Sequence, residues 1–140
     1  MSIWFKEYTL KDFEKFNTQN IHNSLGIEFT EIGVESLSGS MPVDGRTIQP
    51  AGILHGGASV VLAESLGSVG SNLIVDPAQF YCVGQSINAN HIRPVQSGKV
   101  TGTSTPIHLG KTSHIWSIEI KNDIGKLVCF CSLTVAIIKR

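Results

Sequence analysis

Residues 49–57 read Gln-Pro-Ala-Gly-Ile-Leu-His-Gly-Gly and run without a break into an apolar stretch of helical length that reaches Ile74. This junction constrains the fold more than any other feature of the chain. Its Pro and Gly residues mark a loop, and the run behind it predicts a helix from about Gly57 to Ile74. Apolar residues occupy nearly the whole circumference of that helix, so other structure must wrap it. Backbone N–H groups at its start lack intrahelical partners and carry the positive end of the helix dipole. Glycines there let a substrate oxygen approach those donors without meeting a Cβ. Glu64 sits in the run among Val60, Val61, Leu62, Ala63 and Leu66. A carboxylate in such company is paired, protonated or functional, because an unpaired buried charge is costly.

The remainder of the chain limits what this junction can serve. With 140 residues, one domain spanning 1–140 is expected, large enough for a real core. Lys plus Arg and Asp plus Glu number 11 each, which gives no global attraction to nucleic acid or to an anionic membrane. Met1–Glu7 carries no basic segment ahead of a long apolar one, so no secretory signal is expected. Glu64, Ser65, Ser68 and Asn72 interrupt the apolar run, which argues against a membrane span. Three cysteines without metal-type spacing fit small buried hydrophobes in a reducing cytoplasm. The five histidines form no zinc spacing, and no Gly-x-Ser-x-Gly elbow occurs. Neither a metal nor another cofactor is expected.

Read in order, the chain opens with Thr9 and Asp12 as a capping pair for a short amphipathic helix with Leu10, Phe13 and Phe16 on one side, ending near Asn17. Asn20–Leu25 reads as a further turn before Gly26. Alternation between Ile27 and Val43, with a turn around Gly33, predicts two strands or one bent pair. Beyond the long helix the pattern is strand only. Tyr81, Val83, Gln85 and Ile87 alternate with Cys82, Gly84, Ser86 and Asn88, and the strand continues to Arg93. Lys99–His108, Ser113–Lys121 and Leu127–Ile138 follow, the last two joined by the hairpin signal Asn122-Asp123-Ile124-Gly125. One long buried helix with strands before and after it implies an α+β fold, an antiparallel sheet around that helix.

Several segments together carry a resemblance: Met41-Pro42-Val43-Asp44, Arg46-Thr47, Gln49-Pro50, Leu54-His55-Gly56-Gly57, Ala63-Glu64, Gly67-Ser68, Ile87-Asn88-Ala89-Asn90-His91 and Leu109-Gly110. Over essentially its whole length the chain resembles the hotdog-fold acyl-CoA thioesterases. It is most similar to the branch acting on 1,4-dihydroxy-2-naphthoyl-CoA and on aryl carrier proteins. Ala51 departs from the pattern, standing where close relatives often carry Phe, which implies a wider pocket near the loop. The resemblance implies an acyl-CoA substrate with an aromatic acyl group, and a homodimer that pairs further into a dimer of dimers. Geometry also favours two subunits. Gly56 and Glu64 are eight residues apart, about 12 Å of helix rise, too far for both to act on one carbonyl within a single helix.

The expected roles follow residue by residue. Glu64 is nucleophile or general base, and the Gly56 N–H polarises the thioester oxygen. By resemblance, His55 and Gln49 hold the thioester end or orient water, and Ser68, one turn after Glu64 on the same face, positions that water. His91, Arg93, His108, Gly110 and Lys111 are candidates for contacting CoA. Each has a plainer alternative: Glu64 a structural carboxylate, His55 a loop cap, Ser68 and Gln49 packing residues, and the basic set ordinary hydrogen-bonding side chains. His22 and His114 carry no signal. Two rival functions stand beside an aryl-CoA thioesterase: a medium-chain acyl-CoA or carrier-protein thioesterase, and a non-catalytic acyl-CoA-binding module.

Overall fold

The computed structural model describes residues 1–140. Six strands form one antiparallel sheet: β1 (Glu28–Ile32), β2 (Leu37–Pro42), β3 (Phe80–His91), β4 (Lys99–Leu109), β5 (Ser113–Lys121) and β6 (Leu127–Lys139). Their spatial order is β1-β2-β4-β5-β6-β3, so the helical connection after β2 carries the chain across the sheet to β3 at the far edge. Helix α1 is a single short turn, Ile21–Leu25, and α2 is the long helix, Gly56–Ile74. Asn20 caps α1 by accepting from His22 and Asn23 N–H, and Gly26, at φ +71°, ends it.

The α2 helix lies across β2 to β6. What seats it is a row of small residues on its sheet-facing side. A Cβ at Gly67 would collide with Leu133, and one at Gly70 would stand 3.0 Å from the Trp116 ring. Between them these glycines let the helix axis settle onto Leu133 and Trp116, with Leu62, Leu66, Trp116, Ile118, Ile120 and Leu133 fully buried. Ser71, also facing the sheet, accepts from Trp116 Nε1 at 2.8 Å and lies 3.0 Å from His114 Nδ1. Both polar groups that Trp116 and His114 carry into the core are thereby partnered. Along β6, Cys129, Cys131, Leu133 and Val135 share the inward face as the alternation predicts, and all three cysteines are free and buried.

The short amphipathic helix expected behind Thr9 is present as a 3₁₀ helix, Leu10–Phe16, with Asp12 accepting from the Thr9 N–H at 2.7 Å. Leu10, Phe13 and Phe16 recur at three-residue intervals, and a 3₁₀ helix stacks such residues in one row. The strand after α2 ends at His91 instead of Arg93, and its alternation is broken: the pairing with β6 shifts between Gly84 and Ser86. Gln85 is therefore a bulge residue. Before it Cys82 and Gly84 face the helix; after it Ile87, Ala89 and His91 do. Finally, α2 is wrapped on one side only. Val60, Val61, Glu64, Ser65, Ser68 and Val69 form a half-buried stripe along its other side. No helix of the chain is long and apolar enough to cross a membrane.

Candidate active site

The loop before α2 is held by side chains whose spacing the sequence displays. Thr47 is buried and donates its hydroxyl to the Pro42 carbonyl at 2.7 Å, while its own carbonyl accepts from His55 N–H at 2.8 Å. Arg46 forks onto Asp44, with Nη2 2.7 Å and Nε 3.1 Å from the carboxylate oxygens. These hydrogen bonds hold the Asp44 carboxyl down at about 2. Gln49 folds over its own turn, its Oε1 accepting from Ala51 N–H at 2.6 Å. The side-chain amide nitrogen makes no hydrogen bond within the chain, and Gln49 lines the adjoining cleft.

At the helix start the loop meets α2. His55 is the N-cap, and its Nδ1 accepts from Gly57 N–H at 2.8 Å. His55 thus caps the helix, and an accepting Nδ1 leaves the ring proton on Nε2. The carbonyl of His55 takes the N–H groups of Ala58 and Ser59. One donor of the first turn remains: the Gly56 N–H has no protein acceptor. Above it lies His91, so close that a Cβ at Gly56 would stand 2.7 Å from its Nε2. Gln49, Gly56, Ser59, His91 and Arg93 line one cleft of about 490 Å³. Arg93 also donates from Nη1 to the Leu127 carbonyl at 2.6 Å, which anchors the guanidinium at the cleft edge.

Two turns along α2, Glu64 and Ser68 line a second cleft of about 440 Å³, walled by Ile21, Val60, Val61 and Val69. The Glu64 carboxylate rests on β3 at Gly84, where a Cβ would lie 2.6 Å from Oε2. Ser68 Oγ is buried and makes no hydrogen bond within the chain. No residue is common to the two clefts. The structure therefore gathers Gln49, Gly56, His91 and Arg93 on one side, Glu64 and Ser68 on another, and does not join them within one chain.

The other predicted residues fall elsewhere. His108, Gly110 and Lys111 belong to the β4–β5 hairpin, where Leu109 pairs with His114 and His114 in turn reaches Ser71 near the end of α2. They line neither cleft. Sequence reasoning missed two neighbours of the Glu64 site. Gly84, beneath the carboxylate, had a signal, since glycine inside a strand marks close approach of another group. His22 lines the same cleft and had none. No group of three or more His, Cys, Asp or Glu side chains is arranged to hold a metal ion.

A six-stranded antiparallel sheet around one long helix, with a carboxylate on the helix and an unpaired N–H at its start, is the hotdog architecture of a thioester hydrolase. The chain belongs to the thioesterase superfamily, whose family model matches residues 51–129. It is 46% identical to the 1,4-dihydroxy-2-naphthoyl-CoA hydrolase of Escherichia coli, covering 97% of this chain and 99% of that one. It is 42% identical to the proofreading thioesterase EntH of Klebsiella pneumoniae, covering 96% and 98%. Among solved structures it is similar to a thioesterase of Pseudomonas aeruginosa, crystallised as a glutamine-to-alanine mutant, with 49% identity and a TM-score of 0.97. That match spans 99% of this chain and 100% of the other.

Proposed function

We propose that the protein hydrolyses aryl-CoA thioesters at sites shared between two copies of the chain. One observation carries this reading: the free Gly56 N–H and the Glu64 carboxylate line separate clefts of one chain. Eight residues of helix hold them about 12 Å apart along the axis. A second copy whose α2 runs the other way brings its Glu64 beside this chain's Gly56, and the reverse, completing two sites at once. Two surfaces favour such pairing. The stripe from Val60 to Val69 lies half open, and β3 is a twelve-residue edge strand with Tyr81 and Val83 exposed. Unpaired strand edges of that length invite a partner strand. Pairing of dimers into a tetramer is part of the same proposal.

The chemistry then distributes over two chains. The thioester oxygen accepts from Gly56 N–H at the positive end of α2, and the Gln49 amide steadies the thioester from the cleft wall. His55 acts through its cap: by taking the Gly57 N–H it sets the helix start and so the direction of its neighbour's free donor. The partner copy's carboxylate at position 64 attacks the carbonyl carbon or takes a proton from the attacking water, which Ser68 of that copy holds. Oxygen adds to carbon and the carbon–sulfur bond breaks: where water attacks, its proton passes through the carboxylate to the departing CoA thiolate, and where the carboxylate attacks, water then hydrolyses the resulting acyl anhydride, which frees the acid and the carboxylate and supplies the proton that CoA takes up. His91 and Arg93 border the path that the CoA end takes out of the cleft. The aromatic acyl preference rests on the relative from Escherichia coli named for a naphthoyl-CoA. Three free buried cysteines support a reducing compartment such as the cytoplasm.

A hydrolysis assay over benzoyl-, naphthoyl- and octanoyl-CoA tests the reading, run on the wild type, on Glu64→Gln, on Gln49→Ala and on a co-refolded mixture of the two variants. Aryl esters should be preferred, Glu64→Gln should lose activity by orders of magnitude, and the mixture should exceed both parents. An octanoyl preference points to the medium-chain alternative, and binding without hydrolysis to a non-catalytic module. A mixture as inactive as its parents overturns the shared site.

A further inference from the structure

A third cleft, of about 360 Å³, opens beside the last turns of α2, and nothing in the mechanism above employs it. Three cations line it: Lys6 from the N-terminal segment, Lys15 from the 3₁₀ helix and Arg140 beyond β6. No Asp or Glu side chain does. None of the three cations forms an ion pair; Glu7 and Glu14, their neighbours in sequence, neither line the cleft nor pair with them. Two other acids nearby are engaged locally, Asp12 by the Thr9 N–H and Asp76 by the Ala78 N–H and the Gln79 side-chain amide. Contacts hold each cation at the wall. The Lys6 ammonium stands 5.2 Å from the centre of the Tyr8 ring and that of Lys15 5.5 Å from the centre of Phe16, and both rings line the cleft. Arg140 donates from Nε to the carbonyl of Pro77, another lining residue, at 2.9 Å.

One use for cations here is the helix itself: α2 has no basic residue in its last turn, and charges beyond it offset the negative end of its dipole. That use needs no cavity, whereas these cations share one with the apolar side chains of Val69, Leu73 and Phe80. Val69 also walls the Glu64 cleft, so the two clefts adjoin along α2. A ligand that suits both features carries negative charge on an apolar body. We propose that this cleft binds a free aromatic carboxylate, its ring against Phe16 and Phe80 and its carboxylate among Lys6, Lys15 and Arg140. An inorganic anion would leave the apolar wall unused, and a neutral ring would leave the cations unpaired. The proposal rests on the thioesterase reading for the origin of its ligand, since hydrolysis of an aryl-CoA releases an acid of this class in the adjoining cleft.

The test maps amide chemical shifts of the isotope-labelled protein on titration with 2-naphthoate, with 2-naphthamide and inorganic phosphate as controls. It is run on the wild type and on a variant carrying Lys6→Gln, Lys15→Gln and Arg140→Gln together. In the wild type, 2-naphthoate should shift the amides of Lys6, Tyr8, Phe16, Leu73 and Phe80, and both controls should bind far more weakly. Exposed charges each contribute modestly, so removing three should weaken 2-naphthoate at this cleft about tenfold. Hydrolysis of benzoyl-CoA should stay close to the wild-type rate, because none of the three lines the Gly56 or the Glu64 cleft. Shifts confined to residues beside Gly56 or Glu64, equal binding of the amide or of phosphate, or undiminished binding in the triple variant overturns the site. Should the triple variant melt early, the cations serve the helix end as well, and the wild-type map decides alone. A wild type that binds 2-naphthoate here yet hydrolyses no aryl-CoA ester keeps the site and overturns the thioesterase reading.

Discussion

Replacing Gly84 with Ala should cripple the enzyme without touching any residue that carries chemistry. The new methyl carbon would sit 2.6 Å from Glu64 Oε2 and 3.0 Å from the carboxyl carbon. Ordinary contact begins near 3.4 Å, so the carboxylate must retreat by about 0.8 Å. Little stability is at stake, because the colliding atoms are the far end of a flexible side chain and Gly84 itself is exposed on an edge strand. Catalysis is another matter. A reacting group misplaced by about 1 Å costs on the order of a hundredfold in rate. Gly84→Ala should therefore lower kcat on an aryl-CoA ester by about ten- to a hundredfold, with KM nearly unchanged and the melting temperature within a few degrees of the wild type. Steady-state hydrolysis monitored by thiol release, alongside a thermal melt, measures all three. Gly39→Ala is the contrasting control: its methyl would stand 2.8 Å from the Glu28 backbone carbonyl, which cannot swing aside, so it should lose stability instead. Wild-type kcat in Gly84→Ala would refute the placement of Glu64 against β3 as the reactive pose.

Two further outcomes follow from other parts of the molecule. Arg93→Ala should raise KM for a CoA ester several-fold with kcat little changed and no effect on a truncated pantetheine thioester, since contacts remote from the carbonyl bind ground and transition states alike; a matching loss of kcat on both substrates would make Arg93 a structural residue through its bond to Leu127. His114 is buried and its pKa is lowered, first by burial and then by His108, so the folded protein binds this proton less readily than the unfolded chain does. Its contribution is complete above the unfolded value near 6.5 and is lost as pH falls below it, so the melting temperature should decline between pH 7 and pH 5. His114→Asn, which can still reach Ser71, should flatten that decline; an unchanged slope would assign the acid sensitivity to other groups.

Much of this architecture could be read from the chain because two signals agree. The loop of Pro and Gly residues ahead of an apolar run locates the start of α2 to within one residue, and period-two alternation with Asn122–Gly125 between runs marks the last strands. What stayed hidden depends on tertiary placement. Gln85 breaks the phase of β3, and a bulge of one residue has no pattern that distinguishes it from continued alternation. Only with the bulge in place do Gly84 and His91 both turn toward α2, under Glu64 and over Gly56 respectively. His55 was weighed as reagent and as cap, and the cap is present, with Nδ1 2.8 Å from the second N–H of its own helix. His22 was silent for a different reason. It meets the Glu64 cleft through packing against Phe16 and Phe29, contacts that no spacing along the chain encodes.

In the proposed mechanism the group that polarises the substrate belongs to the main chain. The Gly56 N–H would survive any side-chain exchange at that position except proline, though a Cβ there would strike His91. The cleft beside Glu64, by contrast, is walled by side chains such as Ile21, Val60 and Val69, each replaceable one codon at a time. Gene duplicates of such a protein can thus drift among acyl groups while their reactivity is inherited intact, since mutation edits the wall of the cleft far more readily than the backbone that does the activating.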